Sequence, residues 1–137
     1  MANYHGFTRT NYFHVTDEDK FRTIMNSVYG DGLEIWTQKD DNDVTMFAFG
    51  ADSALDYKVP NTEEYDVEQL YEALQKIIVD DEAIIITEVG HEKLRYLVAD
   101  AIVITTNDVR VCDLNEISVA VAGEMLQNVN YKPQMDY

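Results

Sequence analysis

The sequence predicts an α+β domain, a mainly antiparallel sheet with about three helices packed on it. Three observations carry that expectation. Apolar residues recur at helical spacing in three segments, each opened by a side chain able to cap a helix. Between them lie short alternating runs rich in β-branched and aromatic residues, joined by Asp, Asn and Gly turns. Those runs come in pairs, which favours hairpins over parallel crossovers. A chain of 137 residues is one ordinary domain, long enough to bury a core without disulfides.

"TRTNYFHV" predicts a strand over Arg9 to Val15. Thr16 then caps a helix that carries Asp17, Glu18 and Asp19 in its first turn, where carboxylates suit the helix dipole. Phe21, Ile24, Met25 and Val28 form one stripe, and Gly30 stops the helix. "LEIWTQ" and "VTMFAFG" form a hairpin around "KDDND", and "LDYKV" reads as a short edge strand. The second helix opens at Asp66, with Gln69 three residues on as a capping box and Tyr65 and Leu70 at staple positions. Its buried face is Val67, Leu70, Leu74, Ile77 and Ile78. Three strands follow, "AIIITE", "KLRYLVADAIVIT" and "DVRVC", with "VGHE" and "TTN" as turns. Asp113 and Glu116 box the last helix, with Cys112 and Ile117 at its staple positions. The first six elements have the β-α-β-β-α-β order of a ferredoxin-like core, followed by β-β-α. Residues 1–130 read as a single domain and 131–137 as a frayed tail.

Lys and Arg number 10 against 26 Asp and Glu, a net charge of −16. That field repels nucleic acid and anionic membranes and makes a basic protein surface the natural partner. Cys112 is the single cysteine, so no intrachain disulfide forms, which favours a cytoplasmic setting. No apolar run has signal-peptide or membrane-spanning length.

No catalytic or cofactor motif stands out. Ser27, Ser53 and Ser118 lie outside any G-x-S-x-G turn, and no Gly-rich phosphate loop exists. Cys112, among Val109, Val111 and Leu114, reads as a buried inert thiol. His5, His14 and His91 are scattered, without the spacing of a zinc site; His14 reads as a solvated or hydrogen-bonded strand histidine, with a metal site shared with an Asp or Glu of a neighbouring strand as the lesser reading. "DDND" lacks the glycine and the later ligands of a calcium loop. Lys93 and Arg95 share a strand face but make no basic patch. No cofactor and no metal is expected.

The charge is uneven. Asp40 to Glu82 carries thirteen carboxylates against Lys58 and Lys76. Capping and dipole chemistry explain Asp66 and Glu68, and Lys76 answers Glu72 at i+4. The candidate partner-binding residues are therefore Asp40, Asp41, Asp43, Asp52, Asp56, Glu63, Glu64, Tyr65, Glu68, Asp80, Asp81 and Glu82. Carboxylates at i, i+4 on a helix (about 6 Å) or i, i+2 on a strand (about 6.7 Å) approximate two phosphate steps of DNA at about 3.4 Å each. The expectation is an acidic protein-binding module, in its sharpest form a DNA mimic that inhibits a basic nucleic-acid-binding protein. One alternative is an accessory, oligomeric interaction protein with an exposed patch around Trp36, Phe47 and Phe49. A second is an enzyme with a pocket holding His14 or His91 beside carboxylates.

"RTNYFHVTDEDKF", "FAFG" and "GHEKLRYLVADAIVIT", with a closing helix before a Tyr-ended tail, resemble small acidic proteins of unknown function carried by phages, plasmids and conjugative elements. The likeness spans most of the chain. It implies a mobile-element setting, in which anti-restriction and anti-CRISPR inhibitors operate, and it carries over no catalytic residue.

Overall fold

The computed structural model describes residues 4–93 and 96–134. Along them run β1 (Tyr4–Thr10), α1 (Glu18–Met25), β2 (Val28–Tyr29), β3 (Glu34–Lys39), β4 (Thr45–Ala51), β5 (Asp56–Tyr57), α2 (Val67–Gln75), β6 (Ile84–Glu92), β7 (Tyr96–Ile104), β8 (Val109–Asp113) and α3 (Leu114–Met125). Six strands form one sheet in the order β3-β4-β1-β6-β7-β8, every neighbour antiparallel. β4 lies between β1 and β3, the two strands joined through α1. β1 lies between β4 and β6, the two joined through α2. That is the split β-α-β pattern of the ferredoxin-like expectation. β7 and β8 extend it on the β6 side.

Asp17 begins α1 by accepting from the Lys20 amide, so the cap is one residue later than Thr16. Asp66 caps α2 through the Glu68 amide. Gln69 does not reach back to the Asp66 amide, which is already bonded to the Tyr57 carbonyl; its Nε2 lies 3.5 Å from the Asp66 carboxylate. Asp113 caps α3 through the Asn115 amide. Of the expected staple residues, Leu70 is buried, whereas Tyr65, Cys112 and Ile117 are exposed.

Two helical and strand boundaries differ from expectation for tertiary reasons. α1 ends at Met25, not at Gly30, because Val28 and Tyr29 pair with Asp56 and Tyr57 as a separate two-stranded sheet. Val28 is still buried, but in a strand. The first strand leaves the ladder at Thr10 because the Asn11 side chain bonds the Ala83 carbonyl and the Ile85 amide in place of a backbone rung. Phe13 and Val15 then meet Phe47 and Ile78 as isolated bridges. "VGHE" is not a turn: β6 continues through it to Glu92. The expected Lys93–Arg95 pair falls partly outside the described residues, as do 135–137 of the expected tail.

The core lies between the sheet and the pair α1 and α2. Phe13, Phe21, Phe47 and Phe49 pack ring to ring, with Leu70, Leu74, Ile84 and Ile104 beside them, all at most 1% exposed. α3 touches β7 and β8 but adds nothing to this core. Its one buried residue is Gly123, and Leu114, Ile117, Val121 and Met125 are exposed. No helix among the described residues is long and apolar enough to cross a membrane.

Candidate functional site

At the end of the sheet where β3 turns into β4, the chain folds back on Asp40. Its Oδ1 accepts from the Asn42 and Val44 amides, at 2.8 and 2.9 Å. Its Oδ2 faces His14 Nε2 at 2.7 Å. The loop between α2 and β6 supplies Glu82, whose Oε1 accepts from the His14 amide at 2.8 Å and whose Oε2 lies 2.6 Å from His14 Nδ1. Both ring nitrogens thus face a carboxylate. A ring protonated at both nitrogens donates to both carboxylates at once, which favours the imidazolium form. The bond to Asp40, then that to Glu82, raises its titration above the ordinary 6.5. The Val44 amide, then His14, holds Asp40 below the usual carboxylate range.

This clasp ties two acidic loops together. Asp41 and Asp43 flank Asp40, Asp80 and Asp81 flank Glu82, and all four flanking residues are exposed. Among the described residues, none of the four takes part in an ion pair. Six carboxylates therefore lie in the two loops that His14 joins.

The rest of the predicted acidic set lies elsewhere. β4 carries the chain from the clasp to the far end of the sheet, about 20 Å away, and Asp52 follows it there. Asp56 sits in β5, and Glu68 opens α2. The Glu63 carboxylate is 3.9 Å from Lys58 Nζ. The Glu64 amide donates to Thr62 Oγ1, and the Tyr65 ring packs edge-on against Tyr29 at 5.5 Å. The acidic run is thus split between the two ends of the molecule.

Three features were invisible in the linear sequence. Strand register sets Glu88 opposite Asp100, and Asp100 opposite Asp113. Burial, then Glu88 and Asp113, raises the Asp100 titration. Tyr4 Oη donates to Glu88, and its ring lies where a Cβ at Gly6 or Gly90 would be. Burial first, then the bond to Glu88, raises the Tyr4 titration. Tyr71, Glu88 and Asp100 rim a cavity of about 200 Å³ floored by Ile86 and Ile102. A row of facing carboxylates there can share a proton.

The scattered histidines also come together in part. His5 and His91 are register partners on β1 and β6, with ring centroids 5.7 Å apart. His91 Nδ1 is 3.1 Å from the Lys93 carbonyl, so that nitrogen is the protonated one. Two imidazoles fall short of the three or four ligands that zinc takes. No group of three or more His, Cys, Asp or Glu among the described residues has metal-site geometry.

The remaining surprises concern the sheet face that α1 and α2 leave bare. Cys112 is exposed there, not buried, because strand alternation turns Val109 and Val111 to the opposite face. The patch expected around Trp36, Phe47 and Phe49 does not exist: both phenylalanines are core, and Trp36 is half-buried under the Arg9 guanidinium at 4.6 Å. The exposed apolar residues on the bare face are instead Phe7, Ile85, Val89 and Leu97.

No family model matches the chain, and no curated protein or solved structure does so either.

Proposed function

We propose that the protein is a binding module, not an enzyme, and that it presents its clasped acidic end to a basic protein surface of the kind that grips nucleic-acid phosphates. The observation that carries this reading is the His14 bridge, which holds the Asp40–Asp43 and Asp80–Glu82 loops side by side. Gathering like charges opposes folding, and one imidazolium offsets only part of that cost. A surface held in this form is preorganised, so a basic partner meets it without ordering long side chains first. Its carboxylates can replace phosphates in a basic cleft, and the resemblance to mobile-element proteins favours an inhibitory decoy as the specific form.

The test is capture from a host lysate at about 0.05 and about 0.5 M salt, on either side of strong screening, with duplex DNA as competitor. The expected result is a basic nucleic-acid-binding protein that is released by salt and by DNA. Reversing Asp41, Asp43, Asp80 and Asp81 to Lys abolishes capture, whereas Glu63→Lys with Glu64→Lys weakens it little. Capture that survives reversal of the four clasp-flanking residues overturns the proposal.

A further inference from the structure

We propose that the bare face of the six-stranded sheet is a self-association surface on which two copies of this chain pack face to face. An antiparallel sheet with one wet face ordinarily alternates apolar inward and polar outward. Here much of the outward surface of the central strands is apolar too: all four outward residues of β7, and Phe7, Ile85 and Val89 among His5, Arg9, Thr87 and His91 on β1 and β6. Phe7, Val89 and Ala99 stand in one row across β1, β6 and β7, with Ile85 and Val103 in a second and Leu97 beside His91 in a third. Leu97 is 68% exposed and Phe7 61%. Large side chains at Phe7, Val89 and Leu97 border the small Ala99 and Ala101. A two-fold mate can therefore seat its protruding residues over the alanines.

Charge selects the occupant. The chain carries −16, which opposes association of copies through almost any surface. The bare face is the exception. Among the described strand residues turned to it, the only carboxylate is Glu34, on the edge strand β3. Two arginines share that face: Arg9 stacks on Trp36, and Arg110 pairs with Asp108 at 2.7 Å. The face is close to neutral on a molecule that is otherwise strongly acidic. A second copy meets no repulsion there, and the acidic ends of both copies remain in solvent.

The area suffices. Strands about 4.8 Å apart with a rise of about 3.4 Å per residue give the sheet a plane of about 600 Å². That plane is of the same order as the roughly 800 Å² of accessible surface that each partner buries in a standard stable interface. Two such sheets pack about 10 Å apart, their twists matched at about 30°.

Sedimentation velocity of the intact chain, from roughly 1 to roughly 100 µM to bracket micromolar association, tests this. The expected species at the upper end has twice the 15.7 kDa chain mass. High salt leaves it intact, because the contact is apolar. Leu97→Glu and, independently, Val89→Lys each weaken association by about thirtyfold or more, the scale of an interface hot spot. Their far-ultraviolet spectra and dilute-solution melting match the parent, which shows that the fold is kept. Ile117→Glu with Met125→Glu on α3 leaves the dimer in place. A chain that stays monomeric at the upper concentration overturns the proposal. So does a dimer that ignores both sheet-face variants but is lost with the α3 variant.

Discussion

The two faces of the sheet carry similar amounts of apolar side chain but have opposite surroundings. On one, Phe47, Phe49, Ile84, Ile86 and Ile104 lie under α1 and α2 and are almost wholly buried. On the other, Phe7, Ile85, Val89 and Leu97 face solvent. The difference follows from connectivity. Both helices belong to split β-α-β units, and crossovers of one handedness place them on the same face. β7 and β8 add sheet without adding a crossover, and Leu97 and Cys112, turned to the second face, stay exposed. Under the self-association proposal, an apolar outward position is a statement about a partner, whereas an apolar inward position is a statement about stability.

The sharpest way to break that contrast is at the aromatic core. Phe21 is fully buried against Phe13, Phe47 and Phe49, with ring centroids 5.8, 4.8 and 6.4 Å away. Phe21→Ala is expected to cost about 3–5 kcal/mol in urea denaturation, from lost transfer energy plus the cavity left behind. A cost below about 1 kcal/mol, the average of ordinary point substitutions, would mean that the packed face is not the source of stability.

His14 ties two loops together at one end of the sheet, next in sequence to the buried Phe13. His14→Gln is expected to cost about 1–2 kcal/mol, the range of a partly exposed charge-assisted bond. The sign of its pH dependence is set by the raised titration. The imidazolium contributes fully below the ordinary 6.5, and its contribution is lost as pH rises through the raised value. Asp40 acts at the other limit: its contribution is present above the ordinary 3.8 and is lost as pH falls through the lowered value. Melting temperature measured against pH should fall on the alkaline side in the parent and lose that fall in His14→Gln. Parallel profiles would show that the clasp does not titrate.

The packed face was largely legible in the sequence, and the bare one was not. Asp66 and the Leu70, Leu74, Ile77 and Ile78 stripe marked α2, because capping and 3.6-residue periodicity are local. The Asp-rich turn marked the β3–β4 hairpin for the same reason. His14 is separated from Asp40 by 26 residues and from Glu82 by 68, so no local pattern could join them. The His5–His91 and Glu88–Asp100 pairs depend on strand register, which emerges only when β6 is aligned on β1 and β7 on β6. Alternation in "TRTNYFHV" did signal a strand with two distinct faces, whereas the "VGHE" stretch of β6 read as a turn. Alternation could not say which face the helices would take.

Asp100 tests a row of facing carboxylates on the packed side. Burial raises its titration most, and repulsion from Glu88 and Asp113 on either side adds to it. A carboxylate with raised titration opposes folding once ionised, so stability should decline as pH rises through the raised Asp100 value. Asp100→Asn removes that charge. It is expected to stabilise the protein by about 0.2–1 kcal/mol at neutral pH, the size of a relieved like-charge cross-strand pair. The gain should vanish in acid. A variant that melts lower than the parent at neutral pH would show that the carboxylate is held by a favourable contact instead.

The smallest expected effect is the most informative about the second face. Leu97→Ser removes a large apolar side chain, but one that is already 68% exposed in the single chain. If the face has no covering of its own, dilute protein should lose no more than about 0.5 kcal/mol in urea, the range of ordinary surface substitutions. The same substitution in concentrated protein should lower the apparent melting temperature more, because association stabilises the folded state by mass action. Stability that falls equally at both concentrations would mean that Leu97 is packed within its own chain. Stability unchanged at both would mean that the exposed apolar row engages no second copy. A loss confined to concentrated protein separates the two faces by what each requires, a helix from the same chain or a sheet from another.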